Sequence, residues 1–206
     1  MSAAPDAPFD VEPVTLEGTL VRLEPLSQGH APALLEAGSD DDLWRFMTIE
    51  RPRTLADVER YVAAALAQDA GRQVPFATIE RASGRTVGST RYFDVRPRDR
   101  GVEVGYTWIG RAWWGSAINP EAKRLMLAHA FETLGAERVQ LKTDARNLRS
   151  QAAMAKLGFT REGTLRRHLR LPDGTMRDSV YFSVLADEWP GVRATLDHVI
   201  ARAASR

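Results

Sequence analysis

Apolar residues recur along this chain with two periods, and the period changes at turns rich in glycine or proline. Alternation with a period of two, together with β-branched and aromatic residues, predicts strands. These strand segments are Val14–Leu26, Val74–Arg81, Thr86–Phe93, Glu103–Ile109, Val139–Thr143, Phe159–Leu171 and Met176–Leu185. Helices are predicted where a capping residue or a period near 3.6 marks them. These segments are Ser27–Gly38, Thr54–Asp69, Pro120–Leu134, Leu148–Leu157 and Trp189–Arg206.

This order of elements predicts an α/β fold. Strands joined both by hairpins and by helices indicate a single domain with a mixed, mostly antiparallel central sheet flanked by helices. The chain has 206 residues, which is enough for one substantial core. Residues 1–13 are rich in Pro, Ala and Asp and are expected to form a flexible tail, so that residues 14–206 make up the domain. The helix after Thr54 is expected to end at Gly71.

The stretch from Glu103 to Leu134 organises the rest of the chain. It predicts a strand, a turn of small residues at Gly115–Ala117, and a helix. Asn119 suits the N-cap of that helix, and Pro120 suits its first position. The start of a helix has unpaired backbone N–H groups and the positive end of the dipole, so it attracts anions. The stretch therefore predicts either an anion site or a well-capped connection without a ligand.

Composition excludes several kinds of function. The chain is 44% hydrophobic and 27% charged, as in ordinary globular proteins, and its net charge of +1 gives no field that favours nucleic acid or membrane. It has no cysteine, which excludes disulfides, thiolate metal sites and an acyl-cysteine intermediate. The four histidines are scattered, so no metal is expected. Neither a signal peptide nor a membrane span is predicted, and a cytoplasmic location is expected.

The turn of small residues resembles a known cofactor motif. Trp114–Asn119 is similar to motif A of the GCN5-related N-acetyltransferases, where Gln/Arg-x-x-Gly-x-Gly/Ala holds the pyrophosphate of acetyl-CoA on backbone N–H groups. Trp114, Ala117 and Asn119 depart from that pattern. The Cβ of Ala117 leaves less room for a phosphate than the glycine that it replaces.

Two later segments resemble the same family. Asn147–Phe159 is similar to its Asn-x-x-Ser … Lys-x-Gly-Phe segment. Leu171–Tyr181 is similar to the closing hairpin of the branch that contains ribosomal-protein-alanine and amino-acid acetyltransferases. The three signatures occur in the family's order, and the resemblance covers Val14–Trp189, which is nearly the whole chain.

The resemblance implies the acyl-CoA N-acyltransferase fold and an enzyme that moves an acetyl group from acetyl-CoA directly to a primary amine, without a metal. Glu103 would be the general base, and Ser150 would hydrogen-bond the departing sulfur because Met154 stands where many members have a tyrosine. The residues implied in cofactor binding are Trp108, Ile109, Gly115, Ser116, Ala117, Ile118, Asn119 and Asn147.

Other interpretations remain open at this point. Glu103 could be a surface residue beside Arg98–Arg100, and Ser150 could only cap or pack its helix. The fold could serve as an acyl-CoA-binding, sensing or interaction module with little or no catalysis. Binding of nucleic acid through the arginines of Arg161–Arg170 is disfavoured, because Glu162 and Asp173 flank them.

The acceptor amine is not specified by the sequence. A protein N-terminus, a free amino acid, a polyamine and a drug amine all fit the chemistry. The acidic run Asp40–Asp42 favours a cationic acceptor. No membrane partner is expected, and a homodimer is compatible with the predicted C-terminal helix and strand edges.

Overall fold

The computed structural model describes residues 8–67 and 73–204. In this part of the chain one sheet contains eight strands. They are β1 Leu16–Glu17, β2 Val21–Pro25, β3 Gln73–Glu80, β4 Thr86–Arg96, β5 Gly101–Ile109, β6 Arg138–Asp144, β7 Thr160–Arg170 and β8 Met176–Leu185. The helices that flank the sheet are α1 Ala31–Ala37, α2 Leu55–Leu66, α3 Ile118–Ala128, α4 Leu148–Lys156 and α5 Trp189–Ala204.

The sheet has the order β1-β2-β3-β4-β5-β6-β8-β7. Every pair of neighbours is antiparallel except β5 and β6, which are parallel. The predicted mixed, mostly antiparallel sheet is therefore confirmed.

The single parallel pair is short. Gly101–Glu103 of β5 pairs with Arg138–Gln140 of β6, and the two strands part after Glu103. On its other edge β5 carries one extra residue opposite β4, because Ser89 faces Trp108 while Arg91 faces Gly105. This bulge bends β5 away from β6 and leaves its last residues without a partner on that side.

An unusual backbone conformation marks the bulge. Tyr106 has a positive φ of 50°, which a tyrosine rarely adopts. Beyond it, Trp108 and Ile109 are both buried, Trp108 in the core cluster with α1 and α2 and Ile109 in the main core. Adjacent strand residues point to opposite faces of the sheet, so the predicted alternation continues after the bulge.

A buried carboxylate attaches the first hairpin to α3. Glu121, in the first turn of α3, accepts hydrogen bonds from the backbone N–H groups of Thr19, Leu20 and Val21 at 3.0, 2.6 and 2.6 Å. A carboxylate also suits the positive end of the helix dipole. The start of α3 is therefore fixed relative to the edge of the sheet.

The N-terminal segment is more ordered than its composition predicts. Phe9 and Val11 are buried in the main core. The prediction of a loose tail as far as Pro13 is therefore wrong for these two residues, because their apolar side chains are covered by the core. Residues 1–7 of that tail lie outside the described part of the chain.

The local signals that end and begin helices act as the sequence predicts. Thr54 and Asp57 form a capping box at α2. The N–H of Phe159 donates to the carbonyl of Met154, and that of Gly158 to Ala155, which is the Schellman motif expected after α4. The α2 helix ends at Leu66. The predicted stop at Gly71 lies outside the described residues.

Gly88 permits the close approach of β4 to the end of β5. A Cβ at this position would lie 2.1 Å from the carbonyl oxygen of Trp108. We therefore expect Gly88→Ala to lower the free energy of unfolding by about 1–3 kcal/mol, because the backbone of one strand must shift. Urea denaturation measures the change. Gly163→Ala is the control, since its Cβ would meet nothing within 4 Å. Equal stabilities of the two variants would contradict the prediction.

Candidate active site

The parting of β5 and β6 opens a cleft of about 650 Å³. Its walls are the last residues of β5 on one side, and β6 with α4 on the other. The start of α3 and the loop that contains Phe46 and Met47 also contribute to the lining. The cleft has the size and mixed lining of a small-molecule or cofactor site.

The turn before α3 places small residues at the edge of the cleft. Gly115 adopts a φ of +77°, and Gly115 and Ser116 line the cleft. The prediction that Asn119 is the N-cap is wrong, because the helix begins at Ile118 with Ala117 as N-cap. The Ser116 hydroxyl accepts a hydrogen bond from the Ile118 N–H at 3.3 Å, which allows the earlier start.

The first turn of α3 offers donors to a ligand. Among the described residues, the backbone N–H groups of Ala117 and Asn119 have no acceptor. The side-chain Oδ1 of Asn119 is buried and also lacks a partner in this part of the chain. The side chains of Ala117 and Ile118 are buried, so only the backbone of these two residues is available to a ligand.

Cationic side chains line the same cleft. Lys123 of α3, with Arg149 and Lys156 of α4, contributes to the lining. Lys123 is 8% exposed. Its burial lowers the pKa of the ammonium group to about 8. Arg149 stacks on Trp114, with its guanidinium carbon 3.5 Å from the ring centre. An anion here would meet several positive charges.

Asn147 and Ser150 belong to the start of α4. The Oδ1 of Asn147 accepts the Ser150 N–H at 3.1 Å, so this side chain caps the helix. Both residues line the cleft. The Ser150 hydroxyl has no hydrogen-bond partner among the described residues, and Met154 is buried one turn later. Ser150 therefore supplies the hydroxyl group that α4 contributes to the lining of the cleft.

Glu103 lies where β5 leaves β6. It is 1% exposed, so the interpretation as a surface glutamate is wrong. Its Oε2 accepts hydrogen bonds from Gln140 and from the Lys142 ammonium, each at 3.0 Å. Burial raises the pKa of the Glu103 carboxyl above its usual range, although the Lys142 ammonium acts in the opposite direction. A buried carboxylate with a raised pKa in a cleft is typical of a general base.

The acidic run near the mouth of the cleft is neutralised within the chain. Asp41 pairs with Arg51 and Arg53, while Asp40 and Asp42 both pair with Arg111. The expectation that this run attracts a cationic acceptor is therefore not supported, because arginines already occupy its carboxylates.

The sequence interpretation missed several cleft residues. Lys142, Arg177 and Tyr106 line the cleft, and none of them was singled out. One signal was available in the composition. The chain contains three lysines, Lys123, Lys142 and Lys156, and all three line this cleft.

The described residues contain no group of three or more histidine or acidic side chains arranged to hold a metal ion. In the same part of the chain, no helix is both long enough and apolar enough to cross a membrane.

Comparison with known proteins identifies the class to which this fold and cleft belong. A family model described as the acetyltransferase (GNAT) domain matches residues 21–160. This is more than half of the chain, so the chain belongs to the GNAT family, the GCN5-related N-acetyltransferases. The family and the fold implied by the sequence motifs are thus confirmed.

Individual relatives agree with this result. YdaF of Bacillus subtilis (strain 168), provisionally named a ribosomal N-acetyltransferase, is 37% identical over 108 residues, which cover 52% of this chain and 58% of YdaF. The chain thus spans less than two thirds of the length of that curated relative.

Solved structures match over a larger share of the chain. A T. thermophilus protein, provisionally described as an acetyltransferase, is 41% identical with a TM-score of 0.84, over 91% of this chain and 97% of that one. RimJ of Mycobacterium smegmatis, in complex with CoA-disulfide, is 25% identical with a TM-score of 0.78, over 93% and 96%.

The lowered pKa of Lys123 is directly testable. We expect modification of Lys123 by acetic anhydride, followed across pH by mass spectrometry of peptides, to rise with a midpoint of about 8. The midpoint does not depend on how accessible the amine is, so burial does not obscure the result. Lys156, which is exposed at the end of α4, is the internal comparison. A midpoint for Lys123 near the ordinary lysine value of about 10.4 would contradict the analysis.

Proposed function

We propose that this protein is an acetyl-CoA-dependent N-acetyltransferase that moves an acetyl group directly to a primary amine. One observation carries the proposal. The buried Glu103 carboxylate lies where β5 parts from β6, and the same cleft reaches the unpaired N–H groups of α3. Base and anion site are thus joined by one continuous cavity, as transfer from a long phosphorylated donor requires.

The donor lies along the cleft in this proposal. Its pyrophosphate accepts hydrogen bonds from the N–H groups of Ala117 and Asn119, and Gly115 and Ser116 allow it to approach. Lys123, Arg149 and Lys156 offset the negative charge of its phosphates. The pantetheine arm pairs with the backbone of β5 that β6 leaves free, between Glu103 and Ile109. Asn147 keeps α4 in place beside the arm.

The chemistry then follows from the position of Glu103. The amine nitrogen attacks the thioester carbonyl, a C–N bond forms and the C–S bond breaks. Glu103 takes the proton of the amine, directly or through one water molecule. A backbone N–H near Trp108 or Ile109 donates to the oxyanion. The Ser150 hydroxyl donates to the departing sulfur, and a thiol with a pKa of about 8.5 is a fair leaving group.

The acceptor is a primary amine on a protein N-terminus or on a small molecule. The name of YdaF supports a protein acceptor. In this proposal, residues 14–206, together with the core residues Phe9 and Val11, form the N-acetyltransferase domain, which acts in the cytoplasm and with no metal. A homodimer stays a prediction.

A binding or sensing module is the second candidate. Two observations favour it: Met154 cannot donate a proton, and Lys142 and Gln140 already bind the Glu103 carboxylate. Such a module would bind acetyl-CoA without acetylating any amine.

The anion site is tested by removing one backbone donor. We expect Asn119→Pro to weaken acetyl-CoA binding by about tenfold or more, because proline lacks the N–H that faces the pyrophosphate and a hydrogen bond to a charged group stabilises by about 1.5–3 kcal/mol. Isothermal calorimetry measures the dissociation constant. Asn119→Ala, which keeps the N–H, is the matched control and should lose less. Failure of the natural protein to bind acetyl-CoA would overturn the proposed function.

The role of Glu103 is tested through the pH profile. We expect the acid limb of kcat/KM to lie above the ordinary glutamate pKa of about 4.3, since Glu103 acts as a base only when deprotonated and burial raises its pKa. Lys142→Met removes the charge that lowers this pKa, so the limb should move to higher pH. Lys156→Met, the same change at the lysine of α4 that lines the cleft, should leave it in place. An unmoved limb in Lys142→Met, or a limb that persists in Glu103→Gln, would refute the assignment.

A further inference from the structure

The cleft contains a buried arginine beside the loop of Phe46. Arg177 of β8 is 7% exposed, and it lines the cleft. Its Nε donates to the Ser179 hydroxyl at 3.1 Å, and its Nη1 donates to the carbonyl of Phe46 at 3.2 Å. Both acceptors are neutral, so neither of them balances the charge of the guanidinium.

The neighbouring carboxylates are already paired. Glu103 binds Lys142, and Asp144 accepts two hydrogen bonds from the side chain of Arg146 at 3.0 and 2.8 Å. Among the ion pairs of the described residues, none includes Arg177. Arg177 is therefore the cation of this cluster that has no carboxylate at ion-pair distance, although Asp144 and Glu103 act on its charge over a longer range.

The other titratable groups beside Arg177 do not pair with its charge. Burial, with help from the Lys142 and Arg177 charges, lowers the pKa of His168, which favours its neutral form. The Nδ1 of His168 lies 3.0 Å from the Ser179 hydroxyl. Burial also lowers the pKa of Arg177 itself, but a guanidinium stays charged in proteins. An unpaired buried charge is costly, so an anion that entered the cleft would be stabilised here.

Arg177 lies on the same side of the sheet as Glu103. A chain of contacts leads from Glu103 through Lys142 to Tyr181, whose ring lies 5.6 Å from the Lys142 ammonium. From Tyr181 the chain continues through His168 and Ser179 to Arg177. The proposed base and the buried arginine thus face one continuous surface of the cleft.

The strand order and register show how far apart Glu103 and Arg177 lie in the sheet. β6 lies between β5, which carries Glu103, and β8, which carries Arg177. Two strand spacings amount to about 10 Å across the sheet. Arg177 is also displaced along the strands, because Glu103 pairs with Gln140, Gln140 pairs with Ser183, and Arg177 precedes Ser183 by six residues. In a free α-amino acid, a single carbon atom separates the amine from the carboxylate. Such a molecule is too short to place its amine at Glu103 and its carboxylate at Arg177 at the same time. An acceptor that meets both must be extended.

We propose that Arg177 selects acceptors that carry a carboxylate some residues away from the reacting amine, namely peptide or protein N-termini with an acidic side chain in their first few residues. This inference rests on the proposed N-acetyltransferase function and names the substrate class of the same site. Arg177 acts here as a specificity-determining residue, because it contacts the acceptor and takes no part in bond making. In the proposed function the phosphates of the donor are bound elsewhere, at the start of α3.

The test compares acceptor peptides on the natural protein. Two hexapeptides begin with alanine and differ only at positions two and three, which are aspartate and glutamate in one and asparagine and glutamine in the other. We expect kcat/KM to be about tenfold or more higher for the acidic peptide, because only its side chains offer a carboxylate to the Arg177 guanidinium. Free alanine and spermidine should be poorer acceptors than the acidic peptide.

Variants assign the preference to Arg177. Arg177→Gln should reduce the ratio between the two peptides to near one, and Arg177→Lys should retain part of it. Arg166→Gln, at an exposed arginine of β7, is the matched control and should keep the full ratio. Acetyl-CoA binding by calorimetry verifies that each variant retains its fold and donor site.

The outcomes separate this inference from the function on which it rests. The role of Arg177 would be overturned if both peptides were acetylated at equal rates, or if spermidine or free alanine were acetylated faster. Either result would leave the proposed N-acetyltransferase function unaffected. A ratio that survives Arg177→Gln would also overturn it. Acetyl-CoA binding without acetylation of any acceptor would instead contradict the proposed function.

Discussion

The site depends on the point at which β5 stops pairing with β6. Three residues of each strand form the only parallel pairing among the described strands, and after Glu103 the bulge at Tyr106 bends β5 away. Backbone groups of a sheet interior are normally paired, so a stretch without a partner indicates a place for a ligand backbone. Other elements preserve this gap: Glu121 fixes α3 to the first hairpin, and Gly88 lets β4 follow β5 through the bend.

The charges of the lining side chains differ between two parts of the cleft. At the start of α3, the lining contains cations and unpaired backbone N–H groups but no carboxylate. This arrangement suits a donor that carries several phosphates. Around Lys142 and Arg146, each cation forms an ion pair with a carboxylate. Arg177 has no such partner among the described residues. The buried Glu103 is held by Lys142, so that its pKa reflects both burial and a neighbouring charge. In the proposed function, the donor and the acceptor meet at Glu103.

The sequence was sufficient for the order of elements, the class of sheet and the family, because these depend on local periodicity, caps and short motifs. It also singled out Glu103 and Ser150, which the structure places in one cleft, while their catalytic roles stay predictions. It could not show that Glu103 is buried against Lys142, since the two residues are far apart in the chain and meet only through the pairing of β5 with β6. The bulge at Tyr106 and the earlier start of α3 were missed for a related reason. Neither position carries the residue type that usually marks such a feature.

The central claim is that the freed edge of β5 binds the donor, and hydrogen exchange of the backbone measures this most directly. Amide exchange followed by mass spectrometry, with and without acetyl-CoA, reports on each segment separately. The account predicts slower exchange in residues 104–109 and 115–119 when acetyl-CoA is present, while the edge strand β7 is unchanged. Binding of acetyl-CoA with unaltered exchange in residues 104–109 would contradict the account, because the donor would then lie elsewhere.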